Sequence, residues 1–152
     1  MTEGAIMPKF SVSSQSKLSM CHGDIIEVMS RAIQQYDFTV LYGYRTVLEQ
    51  HKLYLQGREL VSGVWVVRDK AKIVTHCDGV VKKSRHNYSP SLAVDIAPYP
   101  VDWTDLQRFI DMAKVVMDIA KEMDVPLQWG GDWTKMKDYP HFELPLSYCD
   151  LT

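Results

Sequence analysis

An aspartate inside an apolar stretch constrains this chain more than any other feature. Asp95 lies between Leu92-Ala93-Val94 and Ile96-Ala97, a short run that predicts a buried strand. A carboxylate in such a setting is costly unless it is paired or binds a metal, because burial disfavours its charged form. A helix cap or an arginine would also satisfy it. The fold therefore has to place a suitable partner beside Asp95.

Two histidines are candidates for completing a metal site around Asp95. His86 precedes it in a loop whose Ser89-Pro90-Ser91 segment predicts a turn, and His141 lies in a short predicted strand near the other end of the chain. Two imidazole nitrogens and one carboxylate oxygen, with a fourth position left open, are a donor set that suits catalytic zinc. In the competing interpretation, each histidine is an ordinary surface residue.

Asp138 indicates what such a site would do. It lies three residues before His141, where a carboxylate can take a proton from water and later deliver it to a leaving amine. Pro140 disfavours a helix at Tyr139, so this segment should be extended or a turn. A structural zinc site closes its fourth position and has no use for a base. A carboxylate beside three ligands therefore predicts a hydrolase.

Hydrophobic patterning predicts a mixture of helices and strands. Apolar residues at helical spacing predict helices that begin near Asp24, span 46–55, and run from Asp105 to about Met123 with Thr104 as N-cap. β-Branched and aromatic runs predict strands at Phe38–Tyr42, Leu92–Ala97 and His141–Leu144, and a hairpin of Val64–Val67 with Lys72–Thr75. Residues 1–15 read as irregular and 127–131 as a loop. The mixture indicates one α+β domain over residues 1–152.

Charge and composition limit the classes of partner. The formal net charge of −2 gives no support to nucleic-acid binding and disfavours a metal-dependent nuclease built on His86 and Asn87. No apolar stretch approaches the roughly 18 residues that indicate a membrane span. The N-terminus lacks the pattern of a secretory signal, so we expect a cytoplasmic protein. The three cysteines lack the spacing of a disulfide framework or of a cysteine zinc site.

Taken together, several stretches resemble the zinc peptidases that cut peptidoglycan stem peptides. This family contains the D-Ala-D-Ala carboxypeptidases and dipeptidases of the VanY type and the phage L-alanyl-D-glutamate endolysins, and it shares a fold with the hedgehog signalling domain. The resemblance covers most of the chain and rests on Gly43-Tyr44-Arg45 with Gln50, Ser84-x-His86, Asp95-Ile96-Ala97-Pro98, Trp129-Gly130-Gly131-Asp132-Trp133 and Asp138-x-x-His141. The longer turn at Asn87–Ser91 departs from the commoner pattern and is typical of the phage branch.

The resemblance implies a small single α+β domain with a central, mainly antiparallel sheet flanked by helices. It also implies one zinc ion per chain, with His86, Asp95 and His141 as ligands. Asp138 would be the general base and later the general acid.

Four further residues receive roles from the resemblance. Arg45 would stabilise the oxyanion of a tetrahedral intermediate, unless it is a salt-bridged arginine at a strand end. Gln50 would support Arg45 or contact the substrate backbone. Ser84 would bind a substrate carboxylate or hydrogen-bond within the ligand loop. Trp129, with Trp133, would wall the groove or lie in the core.

The implied function is a peptidoglycan L-alanyl-D-glutamate endopeptidase of the phage endolysin type. We expect a monomer with no wall-binding domain, held in the host cytoplasm until it is released to the wall. A D-Ala-D-Ala carboxypeptidase is the alternative within the enzymes, although a host enzyme of the envelope would usually carry a signal peptide or anchor. A non-catalytic, zinc-stabilised binding module is the alternative from another class, and Asp138 argues against it.

Overall fold

A computed structural model describes residues 8–149, which form four α-helices, six β-strands and short 3-10 turns. The helices are α1 (Val12–Leu18), α2 (Gly23–Ala32), α3 (Val47–Leu55) and α4 (Leu106–Glu122). The strands are β1 (Phe38–Tyr42), β2 (Arg58–Val61), β3 (Val64–Val67), β4 (Ala93–Pro98), β5 (Gln128–Trp129) and β6 (His141–Glu143). No helix among residues 8–149 has the length and apolar character needed to cross a membrane.

The main sheet has four strands in the order β1-β4-β6-β5, all paired antiparallel. β4 lies between β1 and β6, and five of its six residues are buried. The register sets Asp95 of β4 opposite His141 of β6 and Tyr42 of β1. The α+β prediction with a mainly antiparallel sheet is confirmed, and the central strand carries the aspartate that the sequence analysis singled out.

The hydrophobic core lies where α2 and α4 pack on each other and on the sheet. Both helices are strongly amphipathic, because apolar residues recur every three or four positions along one face. Side chains of the two helices and of β4 are fully buried in this core, among them Ile25, Val28, Met29, Val94, Ile96, Met112 and Val116. The core thus covers the face of β4 that carries Val94 and Ile96 and leaves the opposite face, which carries Asp95, available for a site.

The predicted hairpin is wrong in its second half. β3 pairs with β2, which precedes it, and Val61 lies opposite Val64 across a Ser62-Gly63 turn. Both turn residues have positive φ, 49° and 81°, as a tight two-residue hairpin requires. The predicted second strand, Lys72–Thr75, does not form: Lys72 ends a 3-10 turn at Lys70–Lys72, and residues 73–75 have no regular secondary structure. Most hairpin residues are exposed on both faces, so burial imposes no alternation that the sequence would show.

Smaller corrections concern element ends. Ser11 caps α1, which begins at Val12 inside the segment predicted to be irregular, while residues 1–7 lie outside the described part of the chain. The N-cap of α4 is Asp105, whose carboxylate accepts from the backbone of Arg108, whereas Thr104 bonds to Asp102. The predicted loop at 127–131 contains the short strand β5. These differences do not move the candidate site.

Candidate metal centre

His86, Asp95 and His141 converge on one point. Each offers one ligand atom, and the three atoms lie within 4.8 Å of one another. Nε2 of His86 is 3.3 Å from Oδ1 of Asp95, and Nδ1 of His141 is 3.0 Å from the same oxygen. The pairing of β4 with β6 places Asp95 and His141, whereas a 3-10 turn at Arg85–Asn87 delivers His86.

His86 presents a nitrogen with no hydrogen-bond partner. Its Nδ1 lies 2.7 Å from the carbonyl oxygen of Gly43, so Nδ1–H donates there and Nε2 carries the lone pair. Nε2 is buried, faces Asp95 and makes no hydrogen bond among the described residues. A buried polar atom without a partner is rare in a native fold. A metal ion between these residues would supply the missing contact.

The loop that carries His86 is locked by its own side chains. Ser84 accepts from the backbone N–H of His86 at 3.2 Å, and Asn87 accepts from the N–H of Ser84 at 2.8 Å. The Asn87 amide also donates to the carbonyl of Arg45 at 2.9 Å. Of the two roles expected for Ser84, hydrogen bonding within the ligand loop is the one these contacts display, although Ser84 also lines the cavity.

The electrostatics of the cluster favour positive charge beside Asp95. Burial alone would raise the pKa of Asp95, but the electrostatic interaction with His86 and the hydrogen bond with His141 hold it well below its ordinary value. Burial would lower the pKa of His141, yet hydrogen bonds to Asp95 and Glu143, with the charges of Asp95 and Asp138, raise it to about 9. The carboxylate is therefore ionised, and the three residues fit a metal ion with nitrogen and oxygen ligands.

Asp138 faces the same cavity as the three candidate ligands. Its backbone N–H donates to the carbonyl of Gly130 at 3.0 Å, and its own carbonyl accepts from the N–H of His141 at 3.2 Å. A Cβ on Gly130 would lie 2.3 Å from the Asp138 carbonyl oxygen, so the close approach needs a glycine. Burial and the charge of Asp95 raise the pKa of Asp138, although His141, His86 and Arg45 oppose the shift.

Arg45 reaches the cavity and is held from behind by Gln50. The guanidinium donates to the Gln50 side-chain oxygen at 2.9 Å and lies 4.0 Å from Asp95. Gln50 is fully buried, and its amide donates to the carbonyl of Cys77 at 3.0 Å. Gln50 does not line the cavity. Its contacts match the expected support of Arg45 and not a contact with substrate.

Trp129 lies behind the site and not in its wall. Its indole N–H donates to the carbonyl of Tyr139 at 2.8 Å, and its ring stacks on Phe142. The ring also packs against Gly131, where a Cβ would lie 2.2 Å from an indole carbon. Among the described residues, the tryptophan that lines the cavity is Trp133, whose ring centroid is 5.2 Å from that of His141. Trp129 therefore packs behind the cavity wall, and its expected contact with substrate stays a prediction.

The cavity in front of the cluster has a volume of about 650 Å³ and is open to solvent. The segment 74–77 forms part of its wall. Its cationic lining residues are Arg45, Lys82, Lys83, Arg85 and Lys135. These cations contrast with the net negative charge of the chain. Apart from Arg45, these cations were not predicted from the sequence, because loop 74–85 and the segment around Lys135 meet only in the folded chain.

Glu143 and Arg85 are further cavity residues that the sequence analysis did not single out. The place of Glu143 beside the site was predictable from the sequence, because residues two apart on a strand share a face and His141 lies two positions earlier. Arg85 adjoins His86, but nothing in the sequence shows that its side chain turns towards β6. The structure pairs the two residues, with Nε of Arg85 3.5 Å from a carboxylate oxygen of Glu143.

Comparison with known proteins gives consistent matches. A family model described as phage L-alanyl-D-glutamate peptidase matches residues 6–145. The L-alanyl-D-glutamate peptidase of Escherichia phage T5 is 29% identical over 147 residues, 93% of each chain. The peptidoglycan L-alanyl-D-glutamate endopeptidase CwlK of Bacillus subtilis is 34% identical over 116 residues, 71% of this chain and 60% of that one.

A solved structure shows the same fold. The crystal structure of the Serratia marcescens L-Ala D-Glu endopeptidase ChiX matches with a TM-score of 0.69, covering 96% of this chain and 97% of that one. The two sequences are 24% identical, so this likeness concerns the fold.

Proposed function

The chain belongs to the phage L-alanyl-D-glutamate peptidase family, and we propose that it hydrolyses the L-alanyl–D-glutamate bond of peptidoglycan stem peptides as a zinc enzyme. The convergence of His86, Asp95 and His141 on one point, with Asp138 on the same cavity, carries the proposal. The named activities of the T5 and Bacillus subtilis relatives support the choice of bond.

Zinc is the metal that the donor set favours. Two imidazoles and one carboxylate would hold it, and a fourth position would remain open towards the cavity. When bound there, zinc would polarise the scissile carbonyl and lower the pKa of a water molecule. The unpartnered Nε2 of His86 supports this assignment, because a buried nitrogen without a hydrogen bond is rare and a metal ion at the cluster would supply its contact.

Asp138 is the proposed general base and general acid. Its carboxylate would accept the proton of the attacking water and then donate it to the amine of D-glutamate as that amine leaves. A raised pKa suits a group that has to hold a proton between those two transfers. Hydrogen bonds to Gly130 and His141 fix the backbone of Asp138, so the short aspartate side chain extends from a fixed position.

Arg45 is the proposed partner of the oxyanion that forms on the scissile carbonyl. A guanidinium aimed at developing negative charge stabilises it without reorganisation only if its position is fixed beforehand. The hydrogen bond from Arg45 to the fully buried Gln50 provides that fixation. Gln50 is therefore proposed as a support for Arg45.

The charges around the cavity support an anionic peptide as substrate. A D-glutamyl residue keeps a free carboxylate close to the scissile bond. Lys82, Lys83 and Lys135 line the cavity and would attract that carboxylate. We propose further that one monomeric catalytic domain does this work, and that it reaches the wall as a phage endolysin after release from the host cytoplasm.

Mass spectrometry of digested muropeptides tests the proposal directly. The expected product is a stem peptide with a new free amine on D-glutamate, formed with zinc present and abolished by a chelator. Release of terminal D-alanine instead would identify a carboxypeptidase. No cleavage of any stem peptide by the zinc-loaded protein would overturn the enzymatic proposal and leave a binding module.

A further inference from the structure

The second nitrogen of His141 is held by a carboxylate that the proposed mechanism does not use. Nε2 of His141 lies 2.7 Å from Oε1 of Glu143, two positions later on β6. The Glu143 side chain is 13% exposed, so little water competes for this contact. Its backbone is paired on both sides, with Ala93 of β4 and Gln128 of β5. The backbone that carries this carboxylate is therefore held by a neighbouring strand on each side.

This contact decides which nitrogen of His141 is available to a metal. A neutral imidazole has one N–H donor and one lone pair, and the partner of the N–H selects the tautomer. Asp95 lies at Nδ1 and Glu143 lies at Nε2. If Nε2–H donates to Glu143, the lone pair of Nδ1 points at the same space as Nε2 of His86.

His86 shows the matching arrangement with a weaker partner. Its Nδ1 donates to the carbonyl of Gly43, which leaves Nε2 for the metal. Both candidate histidine ligands are thus held through the nitrogen that points away from the site. Such outer partners orient the ring and raise ligand basicity, and their loss typically weakens metal binding about 10- to 100-fold. A carboxylate partner adds a negative charge that a backbone carbonyl lacks.

Arg85 holds the far side of the Glu143 carboxylate. Its Nε lies 3.5 Å from Oε2 of Glu143 and 3.3 Å from the carbonyl oxygen of Leu144, to which it donates. Because Arg85 occupies Oε2, Oε1 remains directed at His141. Arg85 immediately precedes His86. One short turn therefore carries both a candidate metal ligand, His86, and the cation that contacts Glu143.

We propose that Glu143 is a positioning residue of the metal centre, which selects Nδ1 of His141 as the metal donor, and that Arg85 acts through Glu143. The inference rests on the proposed zinc site and names an outer carboxylate within it. Glu143 touches neither substrate nor reacting atoms in this scheme. Glu143 acts by orienting the His141 ring and by fixing which of its two nitrogens carries the proton.

The test combines zinc affinity with the tautomer of His141. Zinc dissociation constants are measured by competition with a chromophoric chelator for wild type, Glu143→Gln and Glu143→Ala. The matched control is Glu59→Gln, which alters a carboxylate salt-bridged to Arg68 on the exposed hairpin. We expect a loss of about 10- to 100-fold in Glu143→Ala, a smaller loss in Glu143→Gln and no change in the control. The isosteric glutamine variant keeps the test valid if the alanine variant folds poorly.

Imidazole nitrogen-15 chemical shifts report the tautomer without any activity measurement. In zinc-loaded wild type, Nε2 of His141 should carry the proton and Nδ1 the metal. Zinc on Nε2, or unchanged zinc affinity in both Glu143 variants, would overturn the positioning role. Wild type that binds no zinc would instead contradict the proposed metalloenzyme, so the two failures are distinguishable.

A double-mutant cycle tests the link to Arg85 in the absence of substrate. Arg85→Met should weaken zinc binding in the wild-type background and have no further effect in the Glu143→Ala background. An equal loss in both backgrounds would show that Arg85 does not act through Glu143. A general loss of packing would not produce this dependence on the presence of the carboxylate.

Discussion

The carbonyl oxygen of Gly43 lies 2.7 Å from Nδ1 of His86, directly after the last residue of β1. The strand end thereby fixes the tautomer of a candidate metal ligand that is distant in sequence. Gly43 approaches the end of α1 so closely that a Cβ would lie 2.4 Å from the carbonyl oxygen of Lys17. The contact with His86 therefore depends on a glycine at position 43.

Gly43→Ala should therefore weaken zinc binding as well as stability. Relief of the clash has to move β1 or α1, which shifts the carbonyl that holds His86. Overpacking of this kind costs about 1–3 kcal/mol, and loss of an outer partner reduces metal affinity by about 10-fold or more. Urea denaturation and chelator competition measure the two effects.

Gly23→Ala is the matched control, because a Cβ at Gly23 meets no atom within 4 Å. It should leave zinc affinity unchanged and alter the free energy of unfolding by no more than about 1 kcal/mol, in the stabilising direction. Wild-type zinc affinity in Gly43→Ala would contradict the role given to the Gly43 carbonyl.

Zinc should stabilise the folded protein, and the effect should depend on the three clustered residues. A ligand that binds only the native state adds about 2.7 kcal/mol at one hundred times its dissociation constant. His141→Ala should abolish the zinc-induced rise in Tm, because it removes one of three donors. His76→Ala is the control, since His76 lines the same cavity but lies outside the cluster. Calorimetry with and without zinc gives the comparison, and an equal loss in both variants would contradict the ligand assignment.

Asp138→Asn should abolish hydrolysis while zinc stays bound. Removing a general base typically lowers the rate by about 10²- to 10⁴-fold, and the amide cannot accept the water proton. Asp132→Asn, a change at an exposed position in the same segment, should retain activity. Muropeptide cleavage and zinc content, measured on the same samples, check both statements. Near-normal cleavage by Asp138→Asn would remove Asp138 from the mechanism.

The same variant should change the pH dependence of stability in the metal-free protein. The folded-state pKa of Asp138 is raised from the ordinary 3.8, because burial and Asp95 disfavour its charge. The stabilisation that comes from the protonated form is complete below that ordinary value and is lost as pH rises through the folded pKa. At pH 7 the raised pKa opposes folding, because the unfolded carboxylate ionises more readily than the folded one, so Asp138→Asn should be more stable than wild type. Denaturation curves between pH 4 and 7 should show this difference shrinking as pH falls.

The need for a partner at Asp95 was predictable because a charged residue conflicted with its apolar surroundings. Asp95 sits in a run whose other members are buried, so a partner beside it was expected, and the resemblance then implied His86 and His141 as its companions in a metal site. β1 was predicted from its β-branched and aromatic residues, and in the structure Phe38–Tyr42 alternates buried and less buried positions as a strand at a sheet edge does. Local sequence patterns predicted the elements that have a buried face.

Features that depend on backbone atoms or on distant loops were not predictable. The carbonyl of Gly43 carries no side-chain signal, although it orients His86. The burial of Gln50 depends on the segment at Thr75 and Cys77, which folds over α3. The hairpin pairing was misassigned because its residues are mostly exposed on both faces, so neither face had to be apolar.

Gln50→Leu should lower kcat while leaving zinc affinity and KM nearly unchanged. Leucine fills the buried space but removes the acceptor that holds the Arg45 guanidinium and the donor to the Cys77 carbonyl. If Arg45 stabilises charge that develops only in the transition state, its misplacement affects kcat before KM. Removal of one such donor typically costs about 10²- to 10³-fold, so a loss of about 10-fold or more is expected for a displaced one.

Combination with Arg45→Ala separates this effect from general destabilisation. If Gln50 acts on catalysis through Arg45, Gln50→Leu should have little further effect on kcat once the guanidinium is absent. Lys52→Ala, at an exposed position of the same helix, serves as the control and should retain kcat. A large additional loss in the double variant would mean that Gln50 contributes independently of Arg45. Steady-state kinetics on a defined muropeptide, with Tm measured for each variant, distinguishes these outcomes.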